Sequence, residues 1–478
     1  MIGKQELLQT ASQLNLGPHV VEKDYALGWV LAGIYNHPKL ADEWVFKGGT
    51  CLKKCFFETY RFSEDLDFTL KDDSQLNAEF LGGIFAEISE WVYEQSGLEL
   101  PTNLQDFDIY QNPRGKLSCQ GKISYRGPIS PRSGGIPRIK LDLTADERLV
   151  LPPVRVPIFH PYSDAPENGI EVLSYSYEEA FGEKVRALAE RTRPRDLYDV
   201  INLFRNTGAR PVASVILDVL KQKCEFKGIS VPVIGDLSPH KSDLEGAWGH
   251  MLGHQLPELP PVDAFWNALP EFFSWLLEGV VPATPAAYAV AGGETIIRQR
   301  SLRLPVPLAA QSSMEVIRFA AANHLCVDLD YIDLGGRRAT RRIEPYSLRE
   351  TRDGNIVLHA WNVDKDQHRS YRVDRIQGAQ TTGQSFVPRY EIELTPSGPA
   401  TIPPTTRTHT SLFRTPRTAT RSLRRSARTT YGPTYVYQCG VCGKKFRRTK
   451  QTSSLNAHKT PGGYPCMGRT AIYVDTQY

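Results

Sequence analysis

Phe46-Lys47-Gly48-Gly49-Thr50, followed by Arg61-Phe62-Ser63-Glu64-Asp65-Leu66-Asp67-Phe68, decides what the first half of this chain folds into. Trp44-Val45-Phe46 reads as a short buried strand that stops at the two glycines. Residues 50–60 then resume a helical pattern, and Leu66–Leu70 alternates like a second strand. On a strand, residues i and i+2 share a face, so Asp65 and Asp67 project together. Adjacent carboxylates repel, and a divalent cation between them holds them at least cost. Mg²⁺ (or Mn²⁺) takes few protein carboxylates and fills its shell from phosphate and water. Gly48, Gly49 and Thr50 let backbone amides approach a triphosphate at the start of the next helix.

A paired-Asp motif is common by itself, so its neighbours matter. Asp142, in Arg138-Ile139-Lys140-Leu141-Asp142-Leu143-Thr144, is the candidate third carboxylate, with Asp146 and Glu147 close by as competitors. In Glu183-Lys184-Val185-Arg186-Ala187-Leu188-Ala189-Glu190-Arg191, the spacing puts Lys184 and Arg191 on one helical face. Arg195-Asp196-Leu197-Tyr198-Asp199 follows, with Asp196 and Asp199 one turn apart. Cations opposite a carboxylate site suit contact with a triphosphate. The competing expectation is plainer: exposed Lys184 and Arg191, and Arg195 paired with Asp199 along the helix.

Together with Glu22-Lys23-Asp24-Tyr25, these blocks occur in an order that resembles the AbiEii/AbiGii toxin family over roughly residues 5–280. The resemblance implies a DNA polymerase β-like nucleotidyltransferase fold and a toxin of bacterial abortive-infection and toxin–antitoxin systems. It implies that Gly49 and Thr50 hold nucleotide phosphates, that Asp65 and Asp67 bind metal, and that Lys184 contacts the triphosphate or base. Lys23, Asp24, Arg61, Ser63, Arg191, Arg195, Asp196 and Asp199 match family positions; Arg61, Ser63 and Arg191 are placed with the nucleotide site. Some relatives add nucleotides to tRNA, so RNA becomes the implied acceptor. A cognate antitoxin is expected to be encoded separately.

The remaining chain is of different character. Residues 1–36 read as two helices, 177–205 and 210–280 as strongly helical, and 281–305 as a Pro- and Gly-rich linker. Residues 306–395, a helix at 312–324 followed by short β runs, resemble a WYL domain, an SH3-like β module. That likeness implies binding of nucleic acid or a nucleotide-like effector through Arg369, Arg372 and Arg375. Ile356-Val357-Leu358 occupies the slot of the eponymous Trp-Tyr-Leu, and Arg372 or Arg375 could equally pair with Asp374 or Glu344. Strand alternation lets only part of the arginine trio share a face.

Residues 396–435, rich in Thr, Pro, Ser and Arg, read as a disordered linker. In 436–478, Cys439, Cys442, His458 and Cys466 have the spacing of a closed structural Zn²⁺ site, which a module this small needs for folding. The scattered Cys51, Cys55, Cys119, Cys224 and Cys326 read as reduced thiols. Although the net charge is +4, the stretch after residue 395 holds 14 cations against one acid, leaving residues 1–395 at −9. That asymmetry suits a basic tail that meets nucleic acid or clasps the acidic body. No run approaches the roughly 18 apolar residues of a membrane span, and the start lacks a signal pattern, so a cytoplasmic protein without membrane partner is expected.

The expectation is thus an α+β protein: a transferase domain at 1–280 (core about 20–205, helical part about 206–280), a WYL-like domain at 306–395 and a zinc module at 436–478. Its reaction would be metal-dependent transfer of a nucleoside monophosphate from an NTP to RNA or protein. The rival expectation is a nucleic-acid-binding regulator on a degenerate transferase scaffold.

Overall fold

A computed structural model describes residues 1–14, 16–57, 61–130, 135–206, 210–289, 293–297, 308–394, 434–448, 453–455, 458–460 and 465–477. They form two compact units, Met1–Thr405 and Thr406–Tyr478.

The first unit begins with α1 (Lys4–Leu14) and α2 (Pro18–Asn36). Pro18 starts α2 where a missing N–H costs nothing. From Val20 to Tyr35 nearly every side chain of α2 is buried, including Glu22 and Asp24. A seven-stranded sheet follows: β1 (Trp44–Lys47), β2 (Asp65–Leu70), β3 (Asp106–Gln111), β4 (Leu117–Ser124), β5 (Arg138–Thr144), β6 (Val154–Pro157) and β7 (Glu171–Ser174), in the order β3-β4-β5-β2-β1-β7-β6. The β2–β5 and β1–β7 pairs are parallel and the others antiparallel.

Between β1 and β2, α3 (Gly48–Cys51) runs into a π-turn at Leu52–Phe56 and the chain turns extended at Phe57. The helix expected over 50–60 is therefore short and irregular where it is described; residues 58–60 lie outside the described residues. The turn buries both Lys53 and Lys54, and Lys54 Nζ meets Asp24 Oδ2 at 2.7 Å. α4 (Ala78–Ser96), capped by Asn77 and closed by left-handed Gly97, covers one sheet face, with Phe85 5.2 Å from Phe107.

Next come α5 (Tyr177–Arg191), α6 (Pro194–Arg205), α7 (Ala213–Lys227), α8 (Ile234–Leu237), α9 (Lys241–Leu252), α10 (Val262–Trp266) and α11 (Leu269–Phe273). Phe181, Phe204, Phe272 and Trp275 tie α5, α6, α11 and the turn after it together in one aromatic cluster. Part of the expected linker is ordered: β8 (Thr295–Ile296) pairs with β10 (Arg338–Glu350), because two β-branched residues suit an edge.

The second sheet packs on α12 (Leu308–Ala322) and contains β9 (Leu325–Ile332), β10 (Arg338–Glu350), β11 (Ile356–Asn362), β12 (Gln367–Arg372) and β13 (Ile376–Ser385). Its main path is β12-β11-β10-β9-β13, all antiparallel. One hydrophobic core runs continuously from α1 to this sheet.

The second unit contains β14 (Thr434–Cys439), β15 (Lys445–Arg448), β16 (His458–Lys459), β17 (Pro465–Cys466) and β18 (Ala471–Gln477). Its small core is Tyr437, Cys439, Leu455, Cys466 and Ala471. The segment expected to be disordered lies outside the described residues, apart from Thr434 and Tyr435. Among the described residues, no helix is long and apolar enough to cross a membrane.

Candidate active site

The sheet register assembles the site. Asp67 on β2 lies opposite Asp142 on parallel β5 and opposite Lys47 on β1, while Gln120 on β4 lies opposite Asp142. A row Lys47–Asp67–Asp142–Gln120 therefore crosses four strands on one face, with Asp65 two residues away on that same face. Leu66 and Phe68 point the other way, into the core.

The carboxylates are under electrostatic stress. Burial, and then the charges of Asp142 and Asp65, push Asp67 up to about 6, against Lys47 and Lys184. Burial and then Asp65 also raise Asp142, opposed by Lys140, Lys47 and a hydrogen bond with Gln120. This donor set, three half-buried acids on one face, fits a hard divalent cation.

Gly48 is required where it stands. Its φ is +83°, and a Cβ there would lie 2.0 Å from Asp67 Oδ2. A Cβ on Gly49 would meet Arg61 Nη2 at 2.6 Å and Ser63 Oγ at 3.1 Å. Thr50 Oγ1 donates to the Asp65 carbonyl at 2.5 Å, tying the glycine turn to the carboxylate strand.

Opposite the row, buried Asp199 on α6 is a hub. It accepts a bidentate pair from Arg61 at 2.7 and 2.8 Å and lies 2.6 Å from Lys184 Nζ. Burial would raise Asp199, but Arg61 and then Lys184 hold it far below the usual carboxylate range. Arg191 pairs with Asp196 at 2.7 Å. Arg195 makes no ion pair among the described residues; its Nε donates to the Met251 carbonyl at 3.4 Å, and burial followed by the Arg61 charge lowers its pKa. The expected Arg195–Asp199 pair is thus replaced by one that spans the fold. On α2, Lys23 reaches Glu64 at 3.0 Å, beside Asp65, while Asp24 anchors Lys54.

Two contributors were not anticipated from sequence. Lys47 sits beside Asp67 and 3.5 Å from Glu147; its position directly before the glycines was the available signal. Gln120 lies on a strand with no motif, and only register reveals it. Asp146, a competitor for the third acid, instead contacts Arg114, Lys227 and Asn112.

The arginines of the second sheet diverge. Arg369 is on β12, Arg372 at its end pairs with Asp374 at 2.7 Å, and Arg375 lies in the following turn. In the second unit, the ligand atoms of Cys439, Cys442, His458 and Cys466 all lie within 4.8 Å of one another. Cys439 Sγ is 3.9 Å from Cys466 Sγ, close to the edge of a tetrahedron with bonds of about 2.3 Å. Backbone amides of Cys442 and Val441 hold the Cys439 thiol down to about 6. A Cβ on Gly468 would fall 2.4 Å from that sulfur.

Carboxylates paired across parallel strands, a glycine turn beside them and cations opposite define a nucleotidyltransferase. The chain belongs to the AbiEii nucleotidyl transferase toxin family of type IV toxin–antitoxin systems, whose model matches residues 29–276, more than half its length. A WYL domain model matches residues 312–381. The nucleotidyltransferase toxin MenT4 of Mycobacterium tuberculosis is similar at 18% identity and TM-score 0.37, over 58% of this chain and 90% of that one. The proteasome accessory factor PafBC of Arthrobacter aurescens is similar at 14% identity and TM-score 0.16, over 58% of this chain and 62% of that one. No curated protein matches this chain. The family's chemistry implies an NTP substrate, a divalent metal ion and a separate antitoxin.

Proposed function

We propose that this toxin transfers a nucleoside monophosphate from an NTP to a hydroxyl of RNA, with tRNA as the first acceptor to test. The observation that carries the proposal is the Asp67–Asp142 pairing beside Gly48, with Asp65 on the same face. Asp65 and Asp67 would hold Mg²⁺ or Mn²⁺, which supplies charge neutralisation at the phosphates. Asp142 accepts the proton of the attacking hydroxyl. The hydroxyl oxygen bonds to the α-phosphorus, the bond to the β-phosphate oxygen breaks, and pyrophosphate leaves.

The amides of Gly48, Gly49 and Thr50 receive the phosphates. Arg195, faced by Asp65 and Glu64 but paired with neither, and Arg191 neutralise the triphosphate. Lys184 and Arg61, both bonded to Asp199, fix the turn against α5 and α6, and Ser63 packs on Gly49. Residues 1–280 would form the transferase and 306–395 a WYL module for nucleic acid, with Arg369, Arg372 and Arg375 at its surface. The Cys₃His cluster in 436–478 would take structural Zn²⁺ and, with the basic tail, bind RNA.

Incubation with each labelled NTP, Mg²⁺ or Mn²⁺, total tRNA and a protein acceptor tests this reading. Label in RNA that vanishes with Asp67→Asn supports it. Label in protein alone would move the acceptor to protein, and no label with any NTP or metal would sink the enzymatic reading.

A further inference from the structure

A cavity of about 740 Å³ lies far along α6 from the carboxylates, between the helical part of the transferase and the second sheet. Its walls come from α6, α10, α11, the segment 282–285 and the segment 385–392. The volume falls within the roughly 300–1,000 Å³ of small-molecule pockets.

Arg205 marks its polar end. Its Nη2 donates to the Ala264 carbonyl at 2.6 Å, but its Nη1 is buried with no hydrogen-bond partner. Neither Arg205 nor Arg210 makes an ion pair among the described residues. A buried guanidinium left half-satisfied is costly, and an anion placed against it recovers that cost. His324 lines the cavity from the other domain, at φ +54° after α12. Burial and then the Arg205 charge hold its pKa well below the usual imidazole value, so it offers an N–H as a neutral ring. Two donors from two domains thus converge on one space.

The other walls describe the rest of the ligand. Phe386 and Tyr390 offer aromatic surface, with Phe386 5.9 Å from the His324 ring. The acids Asp263, Glu271 and Glu391 also line the cavity; the Glu271 charge acts on both arginines, though no ion pair joins these acids to either among the described residues. They would repel a simple anion but accept hydrogen bonds from hydroxyl and amino groups. Only a ligand with an anionic end, an aromatic ring and donor groups satisfies all three sets.

We infer that this cavity is an effector site for a nucleoside monophosphate. The phosphate meets Arg205 and His324, the base lies against the aromatic rings, and the ribose or base donors meet the acids. Because its walls belong to both domains, occupancy ties the orientation of the second sheet to that of α6, the helix that carries Arg195 and Asp199.

The test is calorimetric titration of the full chain carrying Asp67→Asn, in EDTA, with AMP, GMP, CMP and UMP, and separately with adenosine and inorganic phosphate. That background silences the transferase site, so failure here leaves the proposed reaction untouched, and failure of transfer leaves this site untouched. At least one nucleoside monophosphate should bind with 1:1 stoichiometry. Arg205→Gln should weaken it about tenfold or more. Ala283→Trp, on an exposed wall segment and therefore harmless to folding, should do the same by filling the cavity. Absence of binding below about 1 mM, unchanged affinity in Ala283→Trp, or inorganic phosphate binding as tightly as the nucleotides would each overturn the inference.

Discussion

The carboxylate row and the Cys/His cluster are both arranged for a metal ion, yet they are built in opposite ways. Asp65, Asp67 and Asp142 are held by a sheet whose other face is packed against α4, so the scaffold precedes any ion. The cluster formed by Cys439, Cys442, His458 and Cys466 sits on a core of five residues, two of which are the ligands themselves. In the first place the fold sustains the site; in the second, with the Zn²⁺ proposed above, the site would sustain the fold.

Chelation should separate them most sharply. A zinc chelator should unfold residues 434–477 and leave the seven-stranded sheet intact, because structural zinc contributes on the order of 10 kcal/mol to such modules. Hydrogen exchange of the full chain reads both regions at once. Tail amides that stay equally protected with and without chelator would break the contrast; so would loss of protection in β2 and β5. Cys439→Ser should reproduce the chelated pattern.

The next effect belongs to Asp199. Its removal leaves Arg61 and Lys184 buried without their shared acid, and breaking a buried pair in this way costs about 3–5 kcal/mol. Asp199→Ala should lower the denaturant midpoint of the first unit and slow nucleotide transfer, whereas Asp196→Ala, which loses exposed Arg191 and only a longer 3.6 Å contact to Lys184, should cost less. Equal losses in the two variants would refute the hub.

Gly48→Ala is a smaller and more local test. A methyl group must adopt φ +83° and displace Asp67 Oδ2, which predicts about 1–3 kcal/mol of destabilisation. Transfer should fall further than this loss accounts for, since the displaced group is a carboxylate of the site. A variant with wild-type turnover would show that Asp67 can shift without consequence.

These sites differ in how far the sequence foretold them. The helices at 1–36 and 177–205 and the strand carrying Asp142 follow from apolar periodicity, which acts over neighbouring residues. Asp65 and Asp67 were legible because their two-residue spacing fixes a shared face. The Cys/His cluster was legible because its ligands come from one short segment. What stayed hidden depends on contacts distant in sequence: Asp199 reaching Arg61 instead of Arg195, Lys47 and Gln120 joining the row through register, and β8 emerging from an apparent linker. The cavity beside Arg205 draws its walls from segments more than a hundred residues apart, and no local pattern announces it.

The smallest expected effect sharpens the comparison at the carboxylates themselves. Asp67 is raised to about 6 in the folded protein, above its ordinary value of 3.8, chiefly by burial and then by Asp142. A carboxylate raised on folding favours the fold while it is protonated, and that contribution is lost as pH climbs through about 6. Without metal, therefore, the first unit should lose stability between roughly pH 4 and pH 7 on account of this row. Asp142→Asn removes the neighbouring charge but not the burial. In EDTA it should be more stable than wild type at pH 8, by about 1–2 kcal/mol, and indistinguishable from it near pH 4. Thermal melts across that range measure the difference directly. A gap that stayed constant with pH would mean that Asp142 acts through packing, and the electrostatic account of the row would fail. Saturating Mn²⁺ at pH 8 should reverse the order, because the wild-type acids are then neutralised by the ion that their repulsion prepares them to receive.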